Sequence, residues 1–314
     1  MIKPEFAQSS EINYLSELLT TALAHTYDLH ESLGEAGVND VETNQFGDTA
    51  MVADVQSERI MLDALRTSGE TFIVHSEEHG KLAIPGNDPT LSAKLAVMDG
   101  LDGSSLYKKA RGTGNYGTMF AIFENDKPVY GEYSVAGIML HSTAQLLVAR
   151  RGQGVTLRDF RTGQEESVTT SGAELTAGAL VYVDDDVNVP KDNTLYPYFQ
   201  TNLEVFAKPL RRTAVEPQRT GASAGYYASL AMGEALIVGE ATRKGNLELA
   251  AAYALVKEAG GSIIDVKSWQ DIGDRKFLEY GQNSHEPFVA VANPAALQTL
   301  KAIIGENAGA RAVR

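Results

Sequence analysis

The order of apolar and polar positions divides the chain into helical and extended segments. Over residues 9–33 the apolar side chains Ile12, Leu15, Leu18, Leu19 and Ala22 recur three and four apart, which predicts an amphipathic helix. A second helix is predicted over 53–66, ending near Gly69. Strand-like runs follow at 71–75, 94–98, 118–123 and 129–135, and Glu124-Asn125-Asp126-Lys127 between the last two reads as a hairpin turn. Runs at 145–151 and 155–158 flank Gly152-Gln153-Gly154, a second hairpin signal. The first half is therefore expected to be a layer of antiparallel strands with helices beside it.

Beyond about residue 145 the rhythm changes. The pattern predicts strands at 179–183, 235–239, 262–266 and 288–291 and helices at 195–206, 223–232, 247–259 and 295–304, with a frayed tail over 305–314. Helix and strand alternate, the mark of an α/β layered arrangement. The expected fold class is thus α+β passing into α/β. Residues 1–145 would form an N-terminal α+β domain and residues 146–314 a C-terminal α/β domain.

Composition narrows the function classes. No apolar run approaches the roughly 18 residues of a membrane span. The start, Met1-Ile2-Lys3-Pro4-Glu5-Phe6, lacks the basic and apolar regions of a signal peptide. With no cysteine in 314 residues, disulfides and thiolate metal sites are excluded. A cytoplasmic protein without a membrane partner is expected. The net charge of −14 argues against a nucleic-acid partner. A phosphate-bearing ligand would have to meet its carboxylates through bound divalent cations.

The segment Asp99-Gly100-Leu101-Asp102-Gly103-Ser104-Ser105 follows the apolar run 94–98, so Asp99 is placed at a strand's C-terminal end. Two aspartates three residues apart across a tight turn can face one cation. The carbonyl of Leu101 offers a third oxygen, a donor set that suits Mg²⁺. Gly103-Ser104-Ser105 then opens a short helix predicted at 106–111, whose first amides form an anion site. Taken alone, the segment reads equally well as an Asx-rich turn capping a helix. Three further segments weigh against that. Glu77 and Glu78 end the run 71–75, Asp48 and Asp54 bracket the start of the helix 53–66, and Glu248 lies in the first turn of the helix 247–259, capped by Asn246. Its apolar neighbours Leu247, Ala250 and Ala251 suggest a face packed inward, where a carboxylate needs a partner.

In this order, Gly47-Asp48…Asp54, Ser76-Glu77-Glu78, the 99–105 segment and 245–261 resemble the inositol monophosphatase and fructose-1,6-bisphosphatase superfamily over roughly residues 40–305. The resemblance implies a layered αβαβα sandwich and Mg²⁺-dependent hydrolysis of a phosphate monoester on a small sugar or polyol. By resemblance, Glu77, Asp99 and the Leu101 carbonyl would hold one Mg²⁺, and Asp99, Asp102 and Glu248 a second. Glu78, Asp48 and Asp54 would surround a third metal and the attacking water. Amides of Gly103, Ser104 and Ser105 would grip the phosphate, next to Asp102. Ser104, where threonine is usual in the monophosphatase branch, would help Glu77 deprotonate water. The stretch 219–224 resembles the monophosphatase substrate loop, which makes Arg219 and Ala222 candidate substrate contacts, with Lys244 a further one. The family implies a homodimer or homotetramer. Alternatives are a 3′-phosphoadenosine 5′-phosphate phosphatase, or a non-catalytic interaction protein on the same fold.

Two departures stand out: Gly100 replaces the usual proline, and Leu106 a common asparagine. Six isolated histidines (His25, His30, His75, His79, His141 and His285) lack zinc-site spacing and read as structural, although His75 and His79 bracket the glutamate pair. Lys108, Lys109 and Arg111 read as a solvated helix face.

Overall fold

The computed structural model describes residues 4–43, 49–219, 221–243, 245–282 and 284–311. In chain order its first elements are α1 (Pro4–Leu33), β1 (Asp40–Thr43), β2 (Thr49–Met51), α2 (Val52–Ser68), β3 (Phe72–Ser76), β4 (Gly80–Ile84), β5 (Lys94–Asp102) and α3 (Ser104–Ala110). There follow β6 (Gly117–Phe123), β7 (Tyr133–Leu140), β8 (Gln145–Arg150), β9 (Gly154–Asp159) and β10 (Glu165–Val168). The remainder comprises β11 (Val181–Val183), α4 (Tyr196–Asn202), α5 (Lys208–Arg212), α6 (Ser223–Ala231), β12 (Ile237–Ala241), α7 (Leu247–Glu258), β13 (Ser262–Asp265), β14 (Gln270–Asp271), β15 (Pro287–Val291) and α8 (Pro294–Arg311).

Five layers result, in the order αβαβα. An eight-stranded sheet, ordered β10-β9-β8-β7-β6-β5-β3-β4, is antiparallel except between β3 and β5. A five-stranded sheet, β11-β12-β15-β13-β14, has one parallel pair, β11 with β12. Helices α1 and α2 cover one face of the larger sheet, α6 and α7 lie between the sheets, and α4, α5 and α8 lie outside the smaller one.

The side-chain alternation of β5 and β6 builds this arrangement. Ala96, Met98, Phe120 and Ile122 pack with Leu15, Leu19, Met61 and Leu65 of α1 and α2. Leu95, Val97, Met119 and Ala121 point the other way, into the cluster holding Tyr227, Ala250 and Leu255 of α6 and α7. Every residue of β5 and β6 is buried, which is why these strands read as unbroken apolar runs rather than alternating ones.

Some boundaries differ from the sequence pattern. Residues 130–132 form a 3₁₀ turn ahead of β7, because the Glu132 carboxylate accepts the Val129 amide at 3.0 Å and closes the chain into a turn. The helix expected at 195–206 becomes α4, a π turn over Leu203–Ala207 and then α5. Pro209 lacks the amide that would continue the α ladder. The expected fraying from residue 305 gives way to a helical backbone through Arg311. The change of architecture expected at residue 145 falls inside the larger sheet, which continues through β8, β9 and β10 to Val168.

The contact of α1 with β7 is close. A Cβ added to Gly137 would stand 2.6 Å from Leu23 Cδ1 and 2.8 Å from Leu19 Cδ2. Gly137→Ala is therefore expected to destabilise the protein by about 1–3 kcal/mol through overpacking. Urea denaturation measures this, and an unchanged midpoint would contradict so tight an approach.

Candidate active site

The site is built where β5 ends. Its ladder with β6 loses register between Asp99↔Met119 and Asp102↔Gly117, so Gly100 and Leu101 form a bulge. The Asp99 carboxylate turns back to accept the Leu101 amide at 2.9 Å. The first turn of α2 rests on this bulge: a Cβ on Gly100 would lie 2.3 Å from the Asp54 carbonyl oxygen. Gly103 caps α3 with φ 88°, and a Cβ there would meet the Ala222 Cβ at 2.6 Å. The amide of Ala224, just inside α6, donates to Asp102 Oδ2. These contacts bring the segments 99–105 and 222–224 together. Ser104 Oγ donates to the Leu101 carbonyl at 3.2 Å, and Ser105 is exposed.

Glu248, in the first turn of α7, completes the group: one carboxylate oxygen from each of Asp99, Asp102 and Glu248 lies within 4.8 Å of the others. Burial, and then the charges of Glu77, Asp102 and Glu248, raise the Asp99 carboxyl well above the usual carboxylate range. Burial and the neighbouring Glu248 push Asp102 up to about 7, against the pull of Arg243 and the Ala224 amide. Glu77 is raised by burial and by the charges of Glu248, Glu78 and Asp54. Asp54, raised by burial and by Glu78, accepts the Met51 amide at 3.1 Å, so it is the third residue of a capping box rather than the N-cap itself. Thus Asp54, Glu77, Glu78, Asp99, Asp102 and Glu248 form one electrostatically coupled group.

At separations near 5 Å, two like charges repel by about 3 kcal/mol at an effective dielectric of about 20. Three such pairs amount to roughly the whole stability of an ordinary domain; Arg243 offsets part of this at Glu248, and a bound cation would offset more. Carboxylate oxygens plus a backbone carbonyl are hard donors, and they fit Mg²⁺ in chemistry. Among the described residues, the group that could hold a metal consists of carboxylates, Asp99, Asp102 and Glu248.

Of the remaining expected residues, Asp48 and Lys244 lie outside the described residues. Arg219 is paired with Asp184 at 2.6 Å and Asp186 at 3.2 Å rather than with any member of the group. Asn246 does not cap α7 with its side chain; its amide bridges the Arg243 amide and the Tyr280 carbonyl instead.

Three functional-site residues escaped the sequence reading. Glu58, fully buried, accepts the Ser76 hydroxyl, the Glu77 amide at 2.9 Å, the Glu78 amide at 3.2 Å and His79 Nδ1 at 2.7 Å. It ties the glutamate pair to α2, and its position four residues after Asp54 on one helix face was the available signal. Arg243 donates to Glu248 and reaches Ser223 Oγ at 3.5 Å; it adjoins the Lys244 singled out from sequence. Glu240, a buried charge in the apolar strand β12, is held by the hydroxyls of Tyr198 at 2.8 Å, Ser223 at 3.3 Å and Tyr227.

Comparison with known proteins bears on the family and the fold. Residues 12–299 match the inositol monophosphatase family model. The extragenic suppressor protein suhB from Bartonella henselae superposes with a TM-score of 0.68 at 18% identity, covering 92% of this chain and 97% of that one. An inositol monophosphatase from Anabaena (Nostoc) sp. gives a TM-score of 0.63 at 16% identity, covering 94% and 97%. At these identities the likeness is one of fold. A class 1 fructose-1,6-bisphosphatase from Haloarcula marismortui is 26% identical over 187 residues, 59% of this chain and 56% of that protein. The chain thus spans little more than half the length of the curated relatives it matches.

Two outcomes follow from the electrostatics. Because the Asp102 pKa is raised on folding to about 7, the folded state holds this proton more tightly than the unfolded chain. Its contribution to stability is full below about pH 4 and is lost as pH rises through about 7. The gain in Tm on adding Mg²⁺ is therefore expected to grow from about pH 5 to pH 8; a gain independent of pH would contradict the assignment. Glu58→Gln places an amide donor against several donors and is expected to cost about 3 kcal/mol in urea denaturation. A neutral effect would show that Glu58 does not anchor residues 76–79.

Proposed function

The chain belongs to the inositol monophosphatase family, and from that premise we propose that it is a Mg²⁺-dependent phosphatase acting on a phosphate monoester of a small sugar or polyol. The observation that carries the proposal is the convergence of Asp99, Asp102 and Glu248, with Glu77 coupled to all three or to their neighbours. Asp99, Asp102 and Glu248 would hold one cation, and Glu77, Asp99 and the Leu101 carbonyl another. Glu78, Asp48 and Asp54 would surround a third. Bound there, the cations supply Lewis acidity that offsets phosphate charge and lowers the pKa of water.

The chain's own groups do the rest. The amides of Leu106 and Tyr107 already donate to the Gly103 carbonyl, so anion donors have to come from Gly103, Ser104 and Ser105 upstream. They would hold the equatorial oxygens, on which the transition state spreads its charge. The Glu77 carboxylate, aided by the Ser104 hydroxyl, would take the proton of the attacking water. Arg243 and Ala222 would line the alcohol side, and Arg219 and Lys244 are further candidate substrate contacts. Inositol monophosphate and fructose 1,6-bisphosphate are the leading candidate substrates.

We further take the protein to be a cytoplasmic homodimer or homotetramer; among the described residues no helix is long and apolar enough to cross a membrane.

Phosphate release from inositol monophosphate, fructose 1,6-bisphosphate and 3′-phosphoadenosine 5′-phosphate, with and without Mg²⁺, tests the proposal. Turnover of a polyol or sugar phosphate is expected only with the metal. Asp99→Asn should lower it by about 10³-fold, the scale of losing one preorganised electrostatic contact, with the fold retained by circular dichroism. Full activity of that variant would refute the site. Absence of turnover across the panel would favour an interaction protein on this fold.

A further inference from the structure

Away from the carboxylate group, a cavity of about 320 Å³ opens between the end of α1, the helix α3 and the loop after β7. Two histidines in its wall are more than nine-tenths buried, His30 at 8% and His141 at 4% exposure. Their rings stack with centroids 3.6 Å apart at 13°. Each spends its Nε2 on a hydroxyl, His30 on Ser57 Oγ at 3.1 Å and His141 on Thr118 Oγ1 at 2.9 Å. The Nδ1 atoms of both are buried without a hydrogen-bond partner among the described residues.

The tautomer of His141 can be deduced. Thr118 has one hydroxyl proton, and it goes to the Gly100 carbonyl at 2.7 Å. Thr118 Oγ1 must therefore accept from His141, whose Nε2 carries hydrogen. Burial keeps both rings neutral, with His30 pushed down to about 3. His141 Nδ1 is then a bare acceptor buried beneath the surface, and leaving one unmet costs about 1–3 kcal/mol.

The remaining lining gives the charge and shape of what would fill the cavity. Arg111 and Arg161 are exposed lining residues, and among the described residues neither is ion-paired with a carboxylate; Arg161 donates to the Ser142 carbonyl. Glu31 is the single acid of the lining, so the balance is positive. Tyr27, Tyr107 and Tyr116 supply flat apolar walls, the latter two edge-to-face at 5.0 Å. The volume lies at the small end of ligand pockets and suits one substituted ring.

We propose that this cavity is a second ligand site, for a small planar organic anion. The anionic end lies with Arg111 and Arg161 and the ring between the tyrosines, next to the stacked histidines. The site goes beyond the phosphatase reading and uses none of its residues. It adjoins them through the Thr118 hydroxyl on Gly100 and through Tyr107 and Tyr116, which pack with Leu101.

The test is titration of the full chain with para-hydroxybenzoate, followed by NMR of the histidine imidazole nitrogens, so that it is independent of turnover. Saturable shifts of His30 and His141 are expected. Binding should weaken about tenfold with para-hydroxybenzamide, which lacks the charge, and in Arg111→Ala or Arg161→Ala. Both arginines are exposed, so these variants should fold, which thermal melting checks. Absence of saturable shifts, equal binding of the neutral amide, or affinity unchanged in both arginine variants would overturn the proposal.

Discussion

Asp99, Asp102 and Glu248 hold carboxylate oxygens within 4.8 Å of one another in largely buried surroundings, and such crowding has to be enforced by the rest of the molecule. Isolated peptides of these sequences would swing the charges apart. Here Asp99 and Asp102 are fixed by a strand paired on both sides, with β3 and β6. Glu248 is fixed by a helix packed between two sheets. The stabilising burial of apolar side chains around β5 and α7 thus works against electrostatic repulsion at one point. That opposition makes the point responsive to cations.

The supporting contacts share one logic. Glu58 gathers the hydroxyl and amides of residues 76–79 and so fixes the backbone from which Glu77 and Glu78 project. Arg243 balances Glu248, and the tyrosine hydroxyls of residues 198 and 227 satisfy Glu240. Each is a buried polar group whose partners come from elements remote in sequence. That remoteness explains what sequence reasoning could and could not reach. The 99–105 segment is local, and its turn, bulge and helix start follow from its own residues. The glutamate pair and Glu248 were legible because they end strands or begin helices. Glu58, Glu240 and Arg243 are defined by whom they face, and only the folded chain states that.

The same distinction runs through the fold. The helices α1, α2 and α7 were legible in their apolar spacing and in the stop at Gly69, which adopts φ 76°. Core strands such as β5 and β6 were legible as apolar runs. Short edge strands, such as β4 and β10, carry polar residues and owe their existence to a neighbour's open hydrogen-bonding edge. Nor could residue pattern reveal that β8–β10 extend the first sheet, since strand order is a property of pairing.

Gly100 stands where proline is usual in the superfamily that this chain resembles, and the space its missing side chain vacates is filled by the Asp54 carbonyl, 2.3 Å from where a Cβ would be. Proline has a Cβ too, so it would fit at this position only if the start of α2 retreated. The bulge and the first turn of α2 are thus coupled as neighbouring positions generally are, and a side chain can return to the signature only together with a shift of the helix that now occupies its place.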